Sequence, residues 1–278
     1  MGYSTVILTY NEESNLPRCL AALAGCDDVV VLDSGSSDRT QEIARAAGAR
    51  VFERKFDNFA AQRNFALDTV PFKHAWILHL DADECMTTEL HAEIEEVCRG
   101  DSKSAFLIAN KLIFMDRWIR HVTTYPAYQA RLLRLGQANY KVAGHAMALD
   151  RSDRGTGTLT EPYIHYNFSK GISDWLARHN TYSASEADRI LSETSTLMQA
   201  WGEFQRGETP EKKKQALKRC ADFLPFRPLV RFMYLYIWKW GFLDGHAGFD
   251  YSVLMALYDY LIKLKVRELR QRRRGNHE

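Results

Sequence analysis

The five cysteines, Cys19, Cys26, Cys85, Cys98 and Cys220, show no paired spacing and no CxxC. This argues against a disulfide framework or a cysteine-held zinc and suits reduced thiols in a cytoplasmic protein. No GxGxxG follows the first apolar run, and no GxxxxGK[ST] occurs anywhere. A dinucleotide oxidoreductase and a P-loop nucleotidase therefore both lack their phosphate cradle. No apolar run reaches the roughly 18–20 residues that span a bilayer, so the chain is expected to be soluble or to lie on a membrane. A predicted strand beginning almost at Met1 leaves no room for a signal peptide. Net charge is small as well, 37 Lys+Arg against 35 Asp+Glu, which gives no reason to expect nucleic acid as a partner.

What is present is an alternation. Tyr3 to Tyr10 reads as a buried strand, Leu16 to Leu23 as a helix, Asp28 to Leu32 as a strand and Thr40 to Ala47 as a helix stopped by Gly48. Arg50 to Glu53 is a short strand, Phe59 to Asp68 a helix, and Ala75 to Leu80 an apolar strand that stops in Asp81, Asp83 and Glu84. A β-α-β-α-β-α-β order predicts an α/β fold, a largely parallel sheet flanked by helices. In such sheets ligands bind beyond the carboxyl ends of the strands, which gathers Thr9, Asn11, Glu12, Asp33, Ser34 and the Asp81–Glu84 cluster on one face. Three carboxylates within four residues need cationic company. Mg²⁺ or Mn²⁺ shared with a diphosphate would supply it; acids capping the helix that begins near Thr87 are the plainer alternative. Without a glycine cradle, a nucleotide must be held by side chains and a metal. Asp33 can accept from a ribose or base, or cap the Ser34–Asp38 turn. Arg63 can offset diphosphate charge, or be a solvated helix residue.

Four segments, Ile7–Glu13, Val31–Thr40, Gln62–Leu67 and Leu78–Glu84, resemble in order the serial motifs of family 2 glycosyltransferases, and more narrowly the bacterial branch with the lipopolysaccharide-core β-glucosyltransferases. The resemblance implies a GT-A fold, a nucleotide-diphosphate sugar donor (a UDP-sugar foremost), a divalent metal and inversion at the anomeric carbon. Carried over by position, Thr9, Asn11 and Glu12 contact the nucleoside, and Asp33 and Ser34 hold the base or ribose. Arg63 lies near the diphosphate. Asp81 and Asp83 form the DxD pair around Ala82, with Asp83 as metal ligand and Asp81 on the ribose or a metal-bound water. A nucleotidyltransferase on a similar sheet would need a basic glycine-rich loop where this chain has Asn11-Glu12-Glu13.

The second half should carry the acceptor. Ser104 to Lys111 and Tyr128 to Leu135 read as strands, the latter similar to the family's arginine-leucine run. Many relatives then show a His-Glu pair where this chain has His145-Ala146. An inverting transfer needs a base at the acceptor hydroxyl, so Glu161, Asp116 or His145 would have to substitute. Glu161 comes first, because Thr160-Glu161-Pro162 leads into a strand ending at His165. The Ala146 departure also keeps open a non-catalytic sugar-nucleotide-binding or membrane-binding homologue. His165 falls where this branch keeps a histidine, and the resemblance makes it a further metal ligand; alone it reads equally as a core residue. Trp175, His179, Asn180 and Tyr182 read as helix packing or acceptor groove. The GT-A domain is expected over 1–200 and a helical extension over 201–278. Phe223 to Leu243 is aromatic-rich with Arg227, Arg231 and Lys239 interspersed, and Lys263 to Arg274 carries seven basic residues against one acid, Glu268. That composition suits a headgroup surface or an α-hairpin that packs on the first domain or builds a homo-oligomer. The expected acceptor is a glycolipid or oligosaccharide at the inner face of the cytoplasmic membrane.

Overall fold

A computed structural model describes residues 2–275 apart from 101, 124, 144–145, 193–196, 208–212, 214–215, 218, 221–223 and 225. The chain forms two compact units, Met1–Trp118 with Thr124–Ser169, and Ile119–Thr123 with Lys170–Glu278. The boundary expected after residue 200 falls inside the second unit.

The first unit opens as the apolar pattern predicts: β1 (Ser4–Thr9), α1 (Leu16–Ala21), β2 (Val29–Asp33), α2 (Thr40–Ala46), β3 (Arg50–Glu53), α3 (Phe59–Thr69) and β4 (Trp76–Asp81). Short β5 (Glu84–Cys85) and α4 (Thr88–Arg99) follow, then β6 (Ala105–Phe114), β7 (Arg117–Trp118), β8 (Tyr128–Arg134), β9 (Ala138–Ala143), β10 (Ala146–Ser152), β11 (Thr156–Thr158) and β12 (Tyr163–His165). All six residues of β1 and the first five of β4 are buried, as strands covered on both faces require. The sheet order is β3-β2-β1-β4-β8-β6-β12-β5. β1, β2, β3 and β4 are mutually parallel, whereas β8 runs antiparallel between β4 and β6. The chain builds outward from β1 through β2 to β3, then returns to place β4 on the other side of β1. That reversal is a topological switch point, and it lies at the Asp81 end of β4. Helix α4 starts with a Thr87 cap that accepts from the Leu90 N–H, so the predicted helix start is there as well as the acidic strand end.

The opposite, amino edge is fastened by Asp28. Its buried carboxylate accepts from Ser4 Oγ (2.6 Å), Arg50 Nη2 (2.8 Å) and the Lys73 N–H (2.8 Å), joining β1, β2, β3 and the approach to β4. Burial alone would raise its pKa, but these donors outweigh that and hold it below the ordinary carboxylate value. The stabilisation is therefore complete above the unfolded-state pKa of about 4 and is lost as pH falls through the lower folded value. Asp28→Ala is expected to cost about 3 kcal/mol near neutral pH, from the stranded donors. It should also flatten the acid limb of stability. Urea midpoints measured at several pH values check both.

The second unit holds α5 (Gly171–Ser192), α6 (Leu197–Arg206), α7 (Arg227–Met233), a π turn over Tyr234–Trp238, a 3-10 turn over Gly241–Asp244, and α8 (Gly245–Gly275). Trp175 is buried and stacks on His179 at 3.6 Å, His179 meets Tyr258 edge to face, and Asn180 accepts from Lys265 Nζ at 2.7 Å. These residues pack α5 on α8. Arg227 makes a two-pronged pair with Asp259 between α7 and α8. Buried Asp244 accepts from the N–H groups of His121 and Val122 and from His121 Nδ1, which fixes segment 119–123. A Cβ on Gly248 would lie 2.0 Å from the Gly241 carbonyl oxygen. No side-chain rotation relieves a backbone clash, so Gly248→Ala is expected to cost about 2–3 kcal/mol, read as a lower denaturant midpoint.

Candidate active site

The carboxyl ends of β1 and β2 carry two loops that bind each other. The Asn11 N–H donates to Ser36 Oγ (2.8 Å), and Asn11 Oδ1 accepts from the Ser37 N–H (2.8 Å). The Glu12 N–H donates to Thr40 Oγ1 (2.7 Å), while its carboxylate accepts from Asn15 Nδ2 (2.7 Å). Asn11 adopts a positive φ of 54°, a conformation asparagine tolerates better than most residues. The Ser34 N–H donates to the Thr9 carbonyl, and Ser34 Oγ accepts from Gln62 Nε2. Thr9, Asn11, Glu12, Asp33 and Ser34 thus come together as predicted. Their first task is structural: fully buried Asp33 accepts from Thr9 Oγ1 (2.8 Å), the N–H groups of Gly35 and Ser36, Ser36 Oγ and Gln41 Nε2. Five donors fill a carboxylate's capacity. Asp33 caps the turn.

At the switch point the carboxylates separate into two kinds. Asp81 accepts from Arg63 Nη2 at 2.6 Å and from Arg131 Nη2 at 3.0 Å. Arg131 also pairs closely with Glu84, and the Asp81 N–H donates to Glu84 Oε2 at 2.9 Å. Burial would raise the pKa of Asp81, but the two guanidinium groups outweigh it and hold the carboxyl well below the usual range. Glu84, fully buried, is pushed up by burial against the pull of Arg131. Beneath them His79 is fully buried, edge to face with Tyr140 at 5.2 Å, and neither ring nitrogen has a hydrogen-bond partner. Burial, then the neighbouring Arg63 and Arg131, push its pKa far down, so it is neutral.

Asp83 stands apart from the arginines. Its Oδ2 lies 3.3 Å from His165 Nε2, and each side chain is about one-fifth exposed. Ala82 between the two aspartates is buried. The pairing His165↔Glu84 between β12 and β5 creates this neighbourhood, with the Tyr166 N–H donating to the Asp83 carbonyl at 2.8 Å. Burial disfavours a charged His165, but Asp83 and its acidic neighbours prevail and its pKa is raised. Arg18, exposed on α1, stacks over Tyr166 at 3.5 Å.

Three placements differ from the sequence-based expectation. Arg63 is 0% exposed and bound to Asp81; buried there, it orients a carboxylate, and Arg18 is an exposed cation stacked on Tyr166, whose N–H donates to the Asp83 carbonyl. Glu161 lies in the link between β11 and β12 that runs against α4. The Thr160 and Glu161 N–H groups both donate to the Glu93 carboxylate at 2.9 Å. Among the described residues no hydrogen bond or ion pair joins Glu161 to Asp81, Asp83, Glu84 or His165, so this segment is an anchor to α4. Asp81 is paired with two arginines, and its side chain stays about one-third exposed. His145 lies outside the described residues. Asp116 sits in the turn between β6 and β7, where Met115 and Asp116 both have positive φ. Because β4 and β6 are each antiparallel to β8, that turn rises from the same edge of the sheet as Asp83.

Arg131 was not legible as a site residue. Its signal was a charge between apolar Ala130 and Leu132 in β8, together with an acidic cluster that needed compensation. For a divalent cation, Asp83 and His165 offer one hard and one borderline donor side by side. Among the described residues no group of three or more His, Cys, Asp or Glu could hold a metal unaided, so a metal would draw its remaining ligands from phosphate and water. Mg²⁺ in nucleotide sites commonly binds in that way, and the residues fit.

The family model for glycosyl transferase family 2 matches residues 4–154. An uncharacterized glycosyltransferase of Rickettsia felis is 34% identical over 280 residues, covering 95% of this chain and 89% of that protein. The lipopolysaccharide core biosynthesis glycosyltransferase LpsC of Rhizobium meliloti is 24% identical over 274 residues, 95% of this chain and 91% of that one. Among solved structures, residues 1–349 of S. aureus TarS in complex with UDP-GlcNAc are 16% identical, with 98% of this chain and 92% of that chain covered and a TM-score of 0.45. With a family model over more than half its length and a 34%-identical relative over nearly all of it, the chain belongs to glycosyl transferase family 2, a glycosyltransferase on a GT-A-like mixed α/β fold.

Proposed function

We propose that the protein transfers a sugar, with inversion, from a nucleotide-diphosphate donor, foremost a UDP-sugar, to a lipid-linked glycan or lipopolysaccharide core. The observation that carries this reading is the Asp83–His165 pair at the switch point, beside an Asp81 held ionised by two buried arginines. The acceptor class rests on the likeness to LpsC, and the UDP donor on the four motifs. The chain works from the cytoplasmic side, peripheral to the inner face of the membrane.

In this reading the two braced loops of β1 and β2 form the nucleoside wall, Asp81 faces the ribose side, and Arg18 lends charge to the diphosphate. Asp83 and His165 would hold Mn²⁺ or Mg²⁺, whose contribution is to stabilise the negative charge of the departing nucleoside diphosphate. Arg63 and Arg131 keep Asp81 charged and oriented at a place that is too crowded for free rotation. Such fixed dipoles and charges lower a barrier because they need no reorganisation during the reaction. In this reading Asp116, whose turn rises from the same edge as Asp83, takes the acceptor proton.

Calorimetric titration with UDP, GDP and CDP, each with and without Mn²⁺, tests the reading. UDP binding that strengthens at least about tenfold with Mn²⁺ is the expected result. No binding of any nucleotide under either condition would return the cluster to a capped turn. Metal-dependent UDP binding with neither transfer nor slow donor hydrolysis would favour a non-catalytic homologue.

A further inference from the structure

The helix made by α7 and the π turn carries apolar side chains on both its inner and its outer face. Its inner face is already occupied. Leu235 is buried, Phe232 and Tyr236 stack on each other and meet Phe249 edge to face, and Arg227 is committed to Asp259. Its outer face is apolar. Phe226, Leu229, Met233 and Ile237, at helical spacing, are 73, 60, 46 and 50% exposed. The π turn adds to this stripe. Its i to i+5 bond, from the Lys239 N–H to the Tyr234 carbonyl (2.8 Å), takes in one more residue per turn than an α-helix. Ile237 and Trp238 therefore both point outward, Trp238 at 78% exposure, and Trp240 follows at 60%. A contiguous apolar surface of this kind marks an interaction site.

Its charges decide the occupant. From 224 to 243 the chain carries Arg227, Arg231 and Lys239 and no acid. Arg231, four residues after Arg227 and four before Leu235, has its Nε buried on the covered side, so partly exposed Lys239 is the cation at the rim of the stripe. A second copy is a poor fit. A twofold interface sets the patch against itself, so Lys239 would face its own kind, and the segment offers no carboxylate to pair with it. A bilayer with anionic headgroups matches both the apolar stripe and the cation at its rim, and Trp and Tyr favour that interface. The twelve residues from Arg227 to Trp238 reach about 18 Å, short of the roughly 30 Å of a hydrocarbon core. Among the described residues no helix is long and apolar enough to cross a membrane. The segment lies in the interface plane.

We propose that the outward face of the 226–240 segment is a docking surface for an anionic phospholipid bilayer, inserting Leu229, Ile237 and Trp238 among the headgroups while Lys239 meets lipid phosphates. This names the contact behind the peripheral location proposed above, and it stands whether or not the donor is a UDP-sugar. The test is sedimentation of the full chain with vesicles of phosphatidylcholine plus phosphatidylglycerol, and with vesicles of phosphatidylcholine alone. The wild type should partition about fivefold more strongly onto the anionic vesicles. The Leu229→Ser/Ile237→Ser/Trp238→Ser variant should lose about thirtyfold or more of that binding, with an unchanged circular dichroism spectrum and unchanged UDP binding. Lys239→Glu should lose several-fold on the anionic vesicles only. The proposal is overturned if the wild type binds neither vesicle, or if the triple-serine variant binds as well as wild type. A wild-type dimer that the triple-serine variant turns into a monomer, with no vesicle binding by either, would also overturn it and make a second copy the occupant.

Discussion

Asp83→Ala is expected to lower sugar transfer by about a thousandfold or more while leaving the fold intact. The backbone role of this residue, its carbonyl accepting from the Tyr166 N–H, survives the substitution. The side chain is small and about one-fifth exposed, and its ion-pair partner is His165, so little packing is lost. What goes is the anionic donor on the ligand face. A thousandfold is about 4 kcal/mol of transition-state stabilisation, the scale on which removing a preorganised charge from a site acts. Nucleotide titrations should show the same loss. UDP affinity in Asp83→Ala should become insensitive to Mn²⁺, whereas Asp83→Asn, with one neutral oxygen, should fall between. His165→Ala should move transfer in the same direction by a smaller factor, because a neutral imidazole contributes less to a hard cation than a carboxylate. Transfer by Asp83→Ala within tenfold of wild type would remove Asp83 from the reaction and, with it, the metal assignment.

The largest stability effect is expected at Arg131. This side chain is 2% exposed and is shared by Asp81, Glu84 and, through Nε at 3.4 Å, the Tyr163 hydroxyl. Arg131→Met keeps the apolar stem and removes the charge, leaving two carboxylates against each other with Arg63 and His165 as the cationic groups nearby. Losing one partner of a buried ion pair costs about 3–5 kcal/mol, chiefly from the charge left without compensation. Urea unfolding reads this directly as a lower midpoint at constant slope. A simple loss of packing would give a similar number, so a second variant is needed. In Arg131→Met/Glu84→Gln the stranded charge is gone, and most of the loss should be recovered, a coupling of about 2 kcal/mol or more. Arg131→Lys should not rescue, since an ammonium group cannot reach two carboxylates as a planar guanidinium does. Additive effects of Arg131→Met and Glu84→Gln would show that the arginine serves the core and not the carboxylates. Transfer should fall along with stability, because Asp81 would lose one of the two groups that fix its orientation.

The two residues illustrate what each level of description can reach. The apolar alternation of Tyr3 to Leu80 fixed the order of strands and helices, and the acids at the end of β4 marked the ligand face, because periodicity and strand ends are local properties. Asp83 was legible for that reason, as were the loops after β1 and β2. The need for positive charge beside three carboxylates was legible too. The protein meets part of it with its own arginines, from α3 and from β8, 18 and 50 residues away from Asp81 in sequence.

That choice could not be read from the chain. The insertion of antiparallel β8 between β4 and β6 decides that Arg131 points under Asp81, and a one-residue change of register would turn it to the other face of the sheet. The same holds for His165. Its place beside Asp83 depends on β12 pairing with β5, while Glu161, four residues earlier, is drawn to Glu93 on α4. Composition marked 223–243 as aromatic and basic, yet which side of that helix is covered was settled by packing against α8. By itself the sequence determined the family, the α/β order and the edge that carries the chemistry. Tertiary structure alone decided which charges are spent on one another and which remain for a ligand, because burial and long-range pairing set the electrostatics of each group.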